Sequence, residues 1–146
     1  MNILLLLHSI TRYLVLIALV GVTIQSLIGM VQSKPYGNLE NKSGLWLFIF
    51  THTQLLLGIV LYFTSPTVIF SGASMKDSVA RYWLVEHALM MLLAVALITL
   101  GRITIKKLST DVAKHKRLFI YNVLALAIII LAITMSGRGF WNLPEQ

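Results

Sequence analysis

The chain has no cysteine, only three prolines and only five acidic residues among its 146 positions. Without thiols there are no disulfides, thiolate zinc sites, iron–sulfur clusters or C-x-x-C-H attachments for a c-type haem. Any haem must therefore be held non-covalently, and any metal needs nitrogen or oxygen ligands. Charge is scarce as well: Asp, Glu, Lys and Arg make up 12% of the residues against 58% hydrophobic ones, and the mean hydropathy is +0.84. Such a composition excludes an ordinary soluble domain. No hydrolytic constellation or phosphate-binding glycine loop appears, since Gly137-Arg138-Gly139 lacks the strand–helix context of such a loop. A stand-alone enzyme is not expected.

What is present is four long apolar runs, Ile3 to Val31, Leu45 to Phe63, Tyr82 to Leu100 and Leu118 to Met135. Each meets the need of about 20 residues for a spanning helix. The first run lacks a basic leader and a small-residue cleavage site, so it is read as a retained helix and not a signal peptide. The expectation is all-α: four transmembrane helices in an up-down-up-down bundle forming a single domain, at about 3–31, 45–64, 76–101 and 111–136. Ser33-Lys34-Pro35-Tyr36-Gly37-Asn38, Ser65-Pro66 and Ser71-Gly72-Ala73-Ser74 break the chain between them. Ser74 can cap the third helix, with Asp77 in its first turn, and Ser109 or Thr110 can cap the fourth.

The net charge of +7 is distributed by membrane side and not interleaved with aromatic readers, so no nucleic-acid partner is expected. Lys34, Lys42, Arg102, Lys106, Lys107, Lys114, Lys116 and Arg117 fall in the first and third connections. The positive-inside rule puts these in the cytoplasm and both termini on the periplasmic side of a bacterial inner membrane.

The chemistry-bearing residues are histidines: His8, His52 and His87 inside three runs, and His115 just before the fourth. An imidazole in hydrocarbon is costly unless it is paired or bound. At about 1.5 Å per residue, His8 and His87 each lie roughly 8 Å below the outer ends of their runs, while His52 is about 16 Å down. His115 falls about 4–5 Å outside the inner boundary, where a histidine is ordinarily solvated. Helices one and three are diagonal in such a bundle, so His8 and His87 are the level pair for one outer haem. An inner haem on His52 and His115 fits the depths much less well. Arg12, one turn from His8, is suited to a haem propionate or to Glu86, or else it snorkels to the surface. Glu86, beside His87, is suited to orienting an imidazole or carrying protons, or it is simply hydrated at the interface. Gly58 gives either close approach to the backbone or helix packing.

Leu7-His8-Ser9-Ile10-Thr11-Arg12-Tyr13, Phe50-Thr51-His52-Thr53-Gln54-Leu55 with Tyr62-Phe63, Met75-Lys76-Asp77-Ser78 and Val85-Glu86-His87 together resemble small bacterial four-helix membrane proteins labelled cytochrome b-like. The resemblance implies b-type haem and membrane electron transfer, with His8, His52 and His87 as the positions carried over. The expected function is therefore an electron carrier binding one haem b, with two permitted, and embedded among lipids, other membrane subunits or quinone. Two alternatives stand beside it. One is a haem-free accessory or assembly subunit; the other is a transition-metal site of His8, His52, His87 and Glu86.

Overall fold

The computed structural model describes residues 3–142. Every element in it is helical: α1 (Ile3–Val31), α2 (Asn38–Thr64), α3 (Ser78–Lys107) and α4 (Asp111–Met135). All four are long and apolar enough to cross a membrane. Helices suit that environment because each satisfies its own backbone N–H and C=O groups where no water can.

Local chemistry sets the ends. α2 begins at Asn38, ahead of its apolar run, because the Glu40 carboxylate accepts from the Gly37 N–H at 2.9 Å and closes the first turn. Asp77 is itself the cap of α3, accepting from the Ala80 N–H at 2.7 Å, while Ser71 caps the short 3-10 turn Gly72–Lys76 before it. Thr110 caps α4 by accepting from the Ala113 N–H, and Asp111 in the first turn complements the helix dipole. α1 ends in a Schellman turn: Lys34 N–H donates to the Gly29 carbonyl at 3.0 Å, and Ser33 takes the left-handed conformation at φ 50°.

The helices form a ring in chain order, with α1 opposite α3 and α2 opposite α4. The α2–α3 contact is the thinnest of the four neighbouring pairs. The shared core is Leu19 and Val22 of α1, Leu47 of α2, Ala94 and Ile98 of α3, and Ala125, Ile129 and Ile133 of α4. Small residues let α3 and α4 close tightly: a Cβ at Gly101 would lie 3.0 Å from the Tyr121 side chain. Apolar residues also cover the outside, with Ile17 71% and Leu56 65% exposed. An outer surface this apolar belongs against lipid. The start of α1, the α2–α3 connection and the end of α4 share the upper end of the bundle. The α1–α2 and α3–α4 connections share the lower end.

Candidate functional site

In the upper half the four helices separate around a cavity of about 620 Å³. Its walls are apolar, among them Leu55, Met91, Ala94, Ile98 and Ile129, and few polar groups enter it. That is the ordinary make-up of a small-molecule or cofactor site, and the volume lies within the usual range for one. His8 enters from α1 and His87 from α3, so two imidazoles face one cavity from diagonal helices.

Each imidazole has its own mount. His8 lies over Gly58 of α2, where a Cβ would come within 3.3 Å of its Cε1. The missing side chain of Gly58 thus admits the ring of a neighbouring helix. The Thr11 hydroxyl engages Gln54 Oε1 and turns the amide nitrogen toward His8. Gln54 Nε2 then donates to His8 Nε2 at 3.3 Å, a long and weak hydrogen bond. His8 Nδ1 is buried without a partner among the described residues.

His87 is placed by an irregularity. Tyr82–Glu86 form a π-turn, in which the His87 N–H reaches back five residues to the Tyr82 carbonyl. Such widened turns rephase a helix and concentrate at functional sites. Two tyrosines brace this one: Tyr62 of α2 donates to the Leu84 carbonyl at 2.9 Å, and buried Tyr82 donates across to the Ala132 carbonyl of α4. The Trp83 and Tyr82 rings stand 5.2 and 5.9 Å from the His87 ring. A sequence pattern of apolar spacing carries no signal for a π-turn. It emerges only once α2 and α4 supply the tyrosine and carbonyl partners.

Arg12 also lines the cavity. Its Nη2 donates to Tyr13 Oη at 3.0 Å, and its Nε is buried without a partner among the described residues. Glu86 stands elsewhere, accepting from Arg81 Nε at 2.7 Å, so it neutralises Arg81 and not Arg12. The polar patch of α2 divides between two faces. Thr51 and Gln54 face the cavity, whereas His52 does not line it: its Nδ1–H donates to the Phe48 carbonyl at 2.8 Å, with the Phe48 ring 4.0 Å away.

His115 is not the solvated rim residue expected from its Lys-His-Lys-Arg surroundings. It is 1% exposed, and its Nε2–H donates to the Lys34 carbonyl at 3.0 Å. Its ring is pressed on Gly29 of α1, where any Cβ would collide with it. The cause is tertiary: α1 presents a bare glycine and a turn carbonyl at the level of the first turns of α4. Nearby Tyr36 has its ring 5.6 Å from His115, and burial pushes its phenol above the usual range, so it stays neutral.

One cavity residue had no assigned role in the sequence. Arg138, beyond α4, is turned back over the bundle by left-handed Gly137 (φ 69°) and Gly139 (φ 72°), and its guanidinium sits 4.5 Å over the Trp83 ring. The flanking glycines were its only available signal. Among known proteins, no family model, no curated protein and no solved structure matches this chain.

Proposed function

We propose that the chain is a membrane-embedded b-type haem protein carrying electrons within or across the inner membrane, with one haem between His8 and His87. The observation that carries this reading is the pair of imidazoles entering one apolar cavity of about 620 Å³ from diagonal helices. Two imidazoles facing one cavity would hold a haem iron. A zinc or copper shell asks for three or four donors, and the described residues form no cluster of three His, Cys, Asp or Glu side chains. Of the buried polar atoms without a partner among the described residues, His8 Nδ1, Arg12 Nε and Thr51 Oγ1 belong to residues that line the cavity, while others, such as His115 Nδ1 and the Asn122 amide, do not. In these respects the residues fit the group.

When bound, haem supplies reversible one-electron chemistry at iron. The chain's own residues do the rest. His8 and His87 would hold and orient the group from diagonal helices. Gln54, tied by Thr11, donates to the His8 Nε2 lone pair through a long hydrogen bond, so His8 would hold the group through that nitrogen. The π-turn and its two tyrosines fix the height of His87, and the Leu, Ile and Ala walls exclude water. The lower end, carrying eight Lys and Arg residues, faces the cytoplasm, and the upper end faces the periplasm. Electron partners are then membrane subunits or quinone. We place no second haem on His52 and His115, because His115 Nε2 donates to the Lys34 carbonyl and its ring packs on Gly29.

The test is an absorption spectrum of protein purified from haem-replete cells. A reduced-minus-oxidised b-type spectrum is expected, lost in His8→Ala and His87→Ala and kept in His52→Ala and His115→Ala. Absence of a Soret band in the native protein overturns the proposal.

A further inference from the structure

The upper end of the bundle holds more cations than it can neutralise. Arg12, Lys76, Arg81 and Arg138 stand there, and the described carboxylates at that end are Asp77 and Glu86. Asp77 is spent on capping α3. Glu86 is spent on Arg81 at 2.7 Å. Arg12 and Arg138 therefore have no carboxylate among the described residues, yet both line the apolar cavity. A guanidinium beside hydrocarbon without a counter-ion is costly, and an anion arriving with a ligand removes that cost.

The two arginines are also brought together by the fold. Tyr13, which accepts from Arg12, donates in turn to the Phe140 carbonyl at 3.0 Å, tying the segment that carries Arg138 to the helix that carries Arg12. Arg138 is further set by its N–H, which donates to Ser136 Oγ at 3.2 Å. Above the cavity lies a second, open pocket of about 600 Å³ lined by Asp77, Thr67 and Ser71. Trp83, Ser136 and Arg138 line both spaces, so the Arg138–Trp83 pair is the partition between apolar cavity and open rim.

We propose that Arg12 and Arg138 are the acid-binding residues of the cavity: its ligand carries two ionised carboxylates, both turned toward the upper end, one held by each guanidinium. The proposal deepens the haem reading and rests on it for the ligand's apolar body, though not for its acid groups. Arg12 lines the cavity, and its buried Nε has no partner among the described residues. Arg138 offers a planar fork at the boundary with water, suited to a carboxylate that is partly hydrated. Arg81, already paired with Glu86, takes no part.

The experiment titrates the full-length protein in detergent, purified from haem-depleted cells, with haem and with haem dimethyl ester. Metal-free protoporphyrin IX and its dimethyl ester, followed by fluorescence, put the same question without iron ligation. Native protein is expected to bind each free acid at least about tenfold more tightly than its ester. Arg12→Gln and Arg138→Gln are each expected to weaken the free acid by about tenfold and leave the ester unchanged, while Arg138→Lys, which keeps the charge but not the planar fork, is expected to fall between the native protein and Arg138→Gln. Arg81→Gln is expected to preserve the acid preference. Equal binding of acid and ester by the native protein overturns the proposal, as does an equal loss for both ligands in the glutamine variants. An acid preference for protoporphyrin without any Soret signature of ligated haem sustains this proposal and overturns the haem reading. Failure to bind any of the four porphyrins overturns both.

Discussion

Two histidines of this bundle lie on glycines of neighbouring helices, and the comparison separates a structural imidazole from one poised for chemistry. In the lower half His115 is pressed on Gly29, and its Nε2–H donates to the Lys34 carbonyl at 3.0 Å. In the upper half His8 lies over Gly58 less tightly, a Cβ there coming within 3.3 Å of the ring, and its Nε2 accepts from the Gln54 amide at 3.3 Å. The lower imidazole is the more buried of the two and is the worse ligand. Its Nε2 is a donor committed to backbone, its Nδ1 has no partner among the described residues and is pressed on Gly29, and the ring does not line the upper cavity. The upper nitrogen is an acceptor held by a side chain that can swing away, on the wall of a cavity. Burial alone does not mark a ligand; the fate of the lone pair does.

The comparison breaks most visibly at the two glycines. Gly29→Ala places a methyl group inside the His115 ring, which is pinned by Lys34 and has nowhere to retreat. A loss of about 3 kcal/mol is expected, read as a lowered unfolding midpoint in detergent. Gly58→Ala meets His8 only at 3.3 Å, and the ring has a cavity to move into. Its cost is expected to be about 1 kcal/mol or less, with a shifted haem spectrum as the larger effect. Equal costs at the two glycines would mean that the two contacts are mechanically alike.

The next effect exchanges stability for spectrum. His115→Ala removes a bonded, fully buried ring and is expected to cost about 2–4 kcal/mol while leaving haem absorption unchanged. His8→Ala is expected to cost less, because its ring borders a cavity and its one hydrogen bond is long, yet to abolish the b-type spectrum. A His115→Ala protein that loses its haem signal while keeping its unfolding midpoint would reverse the assignment.

Asn122, seven residues above His115 on α4, offers a finer contrast. It is 1% exposed, and neither its amide nitrogen nor its oxygen has a partner among the described residues. Asn122→Leu is therefore expected to raise stability by about 1 kcal/mol, whereas the same change at Gln54, whose amide is engaged on both sides, is expected to lower it. Thermal melts of the two variants side by side decide the matter.

Much of this organisation is written in one-dimensional patterns. The four spans follow from apolar runs alone, because length and hydrophobicity are what a bilayer demands. Depth arithmetic puts His8 and His87 at one level, and the two side chains do line one cavity. What stayed hidden depends on contacts between helices. The burial of His115 requires Gly29 on another helix, and a basic tetrapeptide at a helix start reads as solvated without it. The early start of α2 at Asn38 was masked by polar first turns outside the apolar run, although the Glu40 carboxylate three residues after Gly37 was a visible cap signal. The π-turn before His87 has no sequence mark, since its bracing hydroxyls come from Tyr62 and from Tyr82 reaching α4.

The smallest expected effect tests why the lower histidine finds a carbonyl at all. Lys34 can present its carbonyl to His115 because α1 ends in a Schellman turn, and that turn needs a residue in the left-handed region at Ser33. Serine holds φ 50° there at a steric cost that glycine does not pay. Ser33→Gly is thus expected to stabilise the protein by about 0.5–1 kcal/mol, with no change at the upper site. Ser33→Val, β-branched and ill-suited to positive φ, is expected to lose a similar amount or more. If His115 is a staple through Lys34, the Ser33→Val loss shrinks in a His115→Ala background, because the turn then has less to hold. Additive losses in the double variant would detach the turn from the staple and leave His115 supported by its packing on Gly29 alone.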